Sequence, residues 1–92
     1  MKTEQEKLEE AVGSFSFEMK ERLIEKMKGG YTGWDKTNVH PSDEYLADSI
    51  VEDANYLRLQ IQEGLTPSTV TMCDIANRLM MIFYRHNTGG IL

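Results

Sequence analysis

Ninety-two residues, 40% of them hydrophobic and 27% charged, make one domain, too short to bury more than ~60–65% of the surface its unfolded chain exposes. A net charge of −5 argues against a general nucleic-acid binder, and a single cysteine, Cys73, excludes an internal disulfide. The opening MKTEQEKLEE is charged and is no signal peptide, and the longest uncharged run of the last helix, LMMIFY, falls far short of the ~20 residues of a membrane span, so the expected setting is cytoplasmic with no membrane partner.

The chain reads as three helices. Residues 3–12 are helical in pattern, with Leu8 and Val12 as their apolar anchors; Gly13-Ser14 weakens that pattern, so 1–14 is an N-terminal helix or extension. A core domain spans 15–87. Phe15, Met19, Leu23 and Met27 recur on one helical face up to Lys28, and Gly29-Gly30 ends it, with Lys26 and Lys28 suited to the dipole of the last turn. The connection GGYTGWDKTNVHP lacks the Walker spacing but carries Tyr31 and Trp34. Trp34 either caps the core or offers a stacking surface for a base.

Ser42 is a good N-cap for the second helix, with Asp43 and Glu44 in its first turn. The helix is expected to run to Glu63 and stop at Gly64, burying Leu46, Ile50, Ala54, Leu57 and Ile61. Thr66-Pro67 predicts the start of the third, over about 67–87, with Gly89-Gly90 beyond it. The third helix is apolar on two faces, Cys73, Ala76, Met80 and Phe83 on one and Met72, Ile75, Leu79 and Ile82 on the other. Burial on both sides implies that one face meets another subunit.

Positions 43 to 63 hold six acids against Arg58 alone, whereas Lys20, Arg22, Lys26, Lys28 and Lys36 give the first helix end and its loop a basic tint. Glu52 and Asp53 on the second helix and Asp74 on the third are expected within about one turn of each other if those helices are antiparallel neighbours. Carboxylates meeting between helices can hold Mg²⁺. The plainer alternative is structural: Arg78 stands four residues after Asp74, the spacing of an intrahelical ion pair. His40 and His86 have no metal-ligand spacing with Cys73.

Taken together, FSFEMKERL at Phe15 to Leu23, Gly33-Trp34, Glu52-Asp53-Ala54-Asn55-Tyr56-Leu57 and Asp74-Ile75-Ala76-Asn77 resemble the blocks of the small MazG-like nucleoside triphosphate pyrophosphohydrolases of bacteria and phages. The resemblance implies an all-α, three- to four-helix antiparallel bundle completed by oligomerisation. It implies Glu52, Asp53 and Asp74 as Mg²⁺ ligands and catalytic acids, Arg22 and Asn77 at phosphate or sugar, and Trp34 near the base. Tyr56 and Thr71 stand where the family has two further acids, so two of five motif carboxylates are missing. Metal affinity depends on carboxylate count. The expectations are therefore a nucleotide-binding protein with a weakened pyrophosphohydrolase site, a phage-type sponge for a signalling (cyclic) nucleotide, or a structural helical module.

Overall fold

Thr3 starts the first helix by a reciprocal cap: its hydroxyl accepts from the Glu6 backbone N–H at 3.1 Å, and the Glu6 carboxylate accepts from the Thr3 N–H at 3.0 Å. From there α1 (Glu4–Lys28) runs unbroken through Gly13-Ser14. A single helical glycine costs about 1 kcal/mol, and the strong helix formers on either side outweigh it. The structure, a computed structural model, describes residues 1–35 and 41–87, so the expectations resting on Lys36, His40 and Gly89-Gly90 lie outside it.

α1 and α2 (Asp43–Gln62) end in the same way. At each end a glycine takes a left-handed backbone, Gly30 at φ 97° and Gly64 at φ 73°. The following N–H then reaches back five residues, Tyr31 to Lys26 at 3.1 Å and Leu65 to Gln60 at 2.9 Å, which satisfies carbonyls the helix leaves open. Ser42 caps α2 through the Tyr45 N–H, as expected. α3 (Thr69–Asn87) begins two residues later than Thr66-Pro67 suggests, because Ser68 is the residue whose hydroxyl accepts from the Thr71 N–H. The Ser68 N–H is itself held by the Gln60 side chain.

α3 is the central element, and α1 and α2 both pack on it. Asp43 pairs with Arg85, Asp53 with Arg78 and Gln60 with Ser68, so α2 runs antiparallel to α3. Arg22 meets Asp74 and Met19 meets Asn77, so α1 does too. No strand occurs among the described residues, and none of their helices is long and apolar enough to cross a membrane.

The core is thin and unusually polar. Among the described residues the buried apolar side chains are Leu46, Cys73 and Met81 with Pro41, and α1 buries none. α2 turns Leu46, Ile50, Asp53 and Leu57 inward, whereas Ala54 and Ile61 of the expected stripe are exposed. The larger departure is in α3. Its fully buried line is Cys73, Asn77, Met81 and Arg85, whereas Leu79 is 54% and Phe83 62% exposed. The helix buries a line that is half polar and presents part of its greasiest side to solvent.

Candidate functional site

Asp74 sits at the crossing of α1 and α3, and two cations of α1 reach it. Arg22 Nε donates to its Oδ1 at 3.1 Å, and Lys26 Nζ lies 3.2 Å from the same oxygen. Burial works against the charge of Asp74, but Arg22 and Lys26 outweigh it and hold the carboxyl below its ordinary value. The hydrogen bond to Asp74 in turn raises the pKa of the Arg22 guanidinium.

Arg78 does not pair with Asp74, despite the helical spacing. It reaches across to Asp53 of α2, one turn further along α3. Two carboxylates from two helices are thus held by three cations of the chain itself, and Glu25 also lies near enough to act on Arg22.

Beside this network lies a cavity of about 300 Å³ bounded by Lys26, Tyr31, Tyr45, Asp74, Asn77 and Arg78 and floored by Leu46 and Met81. Asn77 is only 3% exposed. Its side-chain amide donates to the Met19 carbonyl at 3.1 Å, but its Oδ1 is buried with no hydrogen-bond partner. An unpaired buried acceptor costs about 1–3 kcal/mol, and this one, closed off from solvent, meets a donor from the cavity only if the Asn77 side chain turns toward it.

Tyr31 forms a wall shared by two cavities. Lys26 Nζ stands 5.7 Å from its ring centroid, and its hydroxyl lies 3.6 Å from Met81 Sδ. Burial raises the pKa of the phenol, so it stays protonated as a donor. On its far side is a second, more apolar cleft of about 490 Å³ between Met27, Gly33, Trp34 and Tyr84. Trp34 and Tyr84 meet edge to face, with centroids 5.6 Å apart.

The loop that carries Trp34 is tied down by Arg85, whose side chain is 0% exposed. Its guanidinium donates to the Trp34 carbonyl at 2.6 Å, to the Pro41 carbonyl at 2.6 Å and to Asp43 at 2.8 Å. His86 Nε2 lies 2.5 Å from the other Asp43 oxygen. His86 and then Arg85 hold the Asp43 carboxyl below its ordinary value.

Of the residues singled out from the sequence, Asp74 and Asn77 line the charged cavity, Arg22 supports it through Asp74, and Trp34 lines the adjoining cleft. Asp53 touches it only through Arg78, and Glu52 is exposed on α2. Among the described residues no three of His, Cys, Asp and Glu are grouped as a metal centre requires. Asp53 and Asp74 are each paired with the chain's own cations, and Glu52 stands apart on the exposed side of α2. Cys73 is buried, and burial raises its thiol pKa, which makes it an inert packing residue.

The cavity-lining residues that the sequence did not single out are Lys26, Tyr31, Tyr45 and Arg78, and Arg85 is the buried fastener it missed. Lys26 and Arg78 each had a local explanation, a helix dipole or an i+4 partner, that concealed a tertiary role. No protein-family model, no curated protein and no solved structure matches the chain.

Proposed function

We propose that the chain is a MazG-like helical protein that binds a nucleotide, with phosphate against Lys26 and Arg78 and the ring in the cleft of Trp34 and Tyr84. The observation that carries this is a cavity lined by Lys26, Arg78 and Asn77, an amide whose buried Oδ1 has no partner, and continued, across Tyr31, by an aromatic cleft. Charge-assisted hydrogen bonds suit a phosphate. A base finds ring faces and edges next door. The acceptor suits a hydroxyl or exocyclic amine.

Holding the nucleotide is favoured over cutting it. Pyrophosphate release in this family rests on carboxylates that gather Mg²⁺, and here Asp53 and Asp74 are matched by Arg78, Arg22 and Lys26. The chain's own cations then do the electrostatic work of the metal. A linear triphosphate and a cyclic di- or trinucleotide share the chemistry required, so the sponge is the specific form this proposal takes if the cyclic ligand binds more tightly.

The test is equilibrium binding of a panel of nucleoside triphosphates and cyclic nucleotides with Mg²⁺ and again in chelator, with pyrophosphate release followed in parallel. Binding that survives chelator, with ligand recovered intact, is expected. Binding that needs Mg²⁺, or pyrophosphate release abolished in Asp74→Ala, would restore the metal-dependent hydrolase. No binding to any of them would leave a structural module.

A further inference from the structure

The cleft beside the charged cavity has a charge of its own. Met27, Trp34 and Tyr84 give it apolar and aromatic walls, and the half-buried Asp35 is, among the described residues, the one ionic group that lines it. Asp35 does not line the charged cavity, and Lys26 and Arg78 do not line the cleft. The cations that suit a phosphate and the carboxylate that repels one therefore stand on opposite sides of Tyr31. Asp35 is already engaged within the fold. A carboxylate has about four acceptor sites on its two oxygens, so an existing partner orients it and leaves it able to accept more.

That polarity decides which end of a ligand goes where. A phosphate is kept out of the cleft, so the ring enters it. Stacking on Trp34 and Tyr84 does not choose among rings, because every base has a π-face. The other polar side chains of the cleft, Tyr31, Thr32 and Tyr84, carry hydroxyls, which donate or accept and impose no choice. An ionised carboxylate only accepts, so the edge turned to Asp35 must donate. Guanine presents two adjacent donors, N1–H and the 2-amino group, on the edge remote from its sugar, and these match the two oxygens of a carboxylate. Adenine and cytosine present one amine beside a ring nitrogen whose lone pair would face the second oxygen. Uracil presents one N–H between two carbonyls.

Given that the site holds a nucleotide, as proposed above, we infer that Asp35 selects its base and that the base is guanine. The pair is bidentate and charge-assisted, the arrangement that gives a hydrogen-bonded contact both strength and geometric specificity.

Trp34 is the single tryptophan of the chain and lines the cleft, so its fluorescence reports entry of the ring. The test titrates wild type and Asp35→Asn, in chelator, with guanosine, inosine, adenosine and uridine triphosphates. Inosine is guanosine without the 2-amino group. Wild type is expected to hold guanosine triphosphate at least about 10-fold more tightly than inosine triphosphate, the worth of one charge-assisted hydrogen bond, and to hold uridine triphosphate weakest. In Asp35→Asn the amide brings a donor against one of the two guanine donors, so the preference for guanosine over inosine is expected to vanish or reverse. The ratio of two triphosphates within one protein cancels the gain that any phosphate makes when a negative charge is removed. Should Asp35→Asn lose its helical signal, the wild-type order alone decides. A wild type that holds any of the others as tightly as guanosine triphosphate, with Trp34 responding, would overturn selection by Asp35 and leave the nucleotide site standing. So would a preference for guanosine that persists in Asp35→Asn. No binding of any triphosphate would overturn the base and the nucleotide site together.

Discussion

Arg85 Nη1 donates to Asp43 Oδ1 at 2.8 Å, and through that contact the last turn of α3 holds the first turn of α2. The same guanidinium closes on the Trp34 and Pro41 carbonyls, so one buried cation holds both described edges of the connection between α1 and α2. Asp43 is half exposed and keeps His86, but without Arg85 the Trp34 and Pro41 carbonyls lose their donor, at about 1–3 kcal/mol for a buried acceptor. Arg85→Met is therefore expected to lose about 2 kcal/mol or more in urea unfolding. Arg85→Lys is expected to recover only part of it, since one ammonium cannot span three acceptors. A loss under ~1 kcal/mol would mean that the guanidinium does not fasten these loop ends.

Asp53 holds Arg78, the guanidinium proposed to meet the phosphate. Asp53→Asn releases that guanidinium toward the cavity, and affinity for a nucleoside triphosphate in chelator is expected to rise about 3- to 10-fold, with a steeper salt dependence. A metal-bridged site predicts the opposite sign. A fall in affinity restored by excess Mg²⁺ would establish that Asp53 serves as a ligand.

Asn77→Leu removes the orphaned acceptor together with one hydrogen bond to the Met19 carbonyl. The two effects on stability offset each other to within about 1 kcal/mol, whereas nucleotide affinity is expected to fall at least about 10-fold, the worth of one good hydrogen bond. Titration calorimetry and a denaturation curve on the same preparation separate the two. Equal losses in both would make Asn77 a packing residue.

Asp74 and Asp43 both lie below their ordinary values in the folded chain, so the unfolded chain binds their protons more readily. Stability therefore rises with pH across their titration. Their contribution is complete above an unfolded value of about 3.9. It is lost as pH falls through the lower folded values. Urea midpoints are expected to be insensitive to these two groups between pH 5 and 7 (roughly one unit or more above that value) and to drop below about 4. In Asp74→Asn that acid-limb drop should shrink, and an unchanged limb would show that the Arg22 and Lys26 pairs contribute nothing to folding.

The helices were legible because their punctuation is local. Ser42, Gly29-Gly30 and Gly64 act through backbone geometry within five residues, and each ends or starts an element as the sequence suggests. Thr66-Pro67 misleads because Ser68 competes for the cap and prevails with the Gln60 side chain behind it. The partners of the acids were not legible. Arg78 satisfies the spacing rule with Asp74, yet the α2 register places Asp53 within its reach and two α1 cations already hold Asp74. Nor does periodicity separate a face that is apolar for its own core from one that is apolar toward solvent. Leu79 and Phe83 look like core and are exposed, and Arg85 looks like surface and is not.

Tyr31 is the residue whose N–H completes the α1 cap and also the wall between the two cavities. Helix length and ligand shape are therefore joined. Each residue added to α1 turns everything after it by about 100° and moves it about 1.5 Å. Between Glu4 and Phe15 an insertion would shift only the exposed turns that precede the packing of α1 on α3. Between Met19 and Gly29 it would swing Tyr31 out of both cavities. Length changes between homologous chains should accumulate in the first half of α1 and be rare in the second.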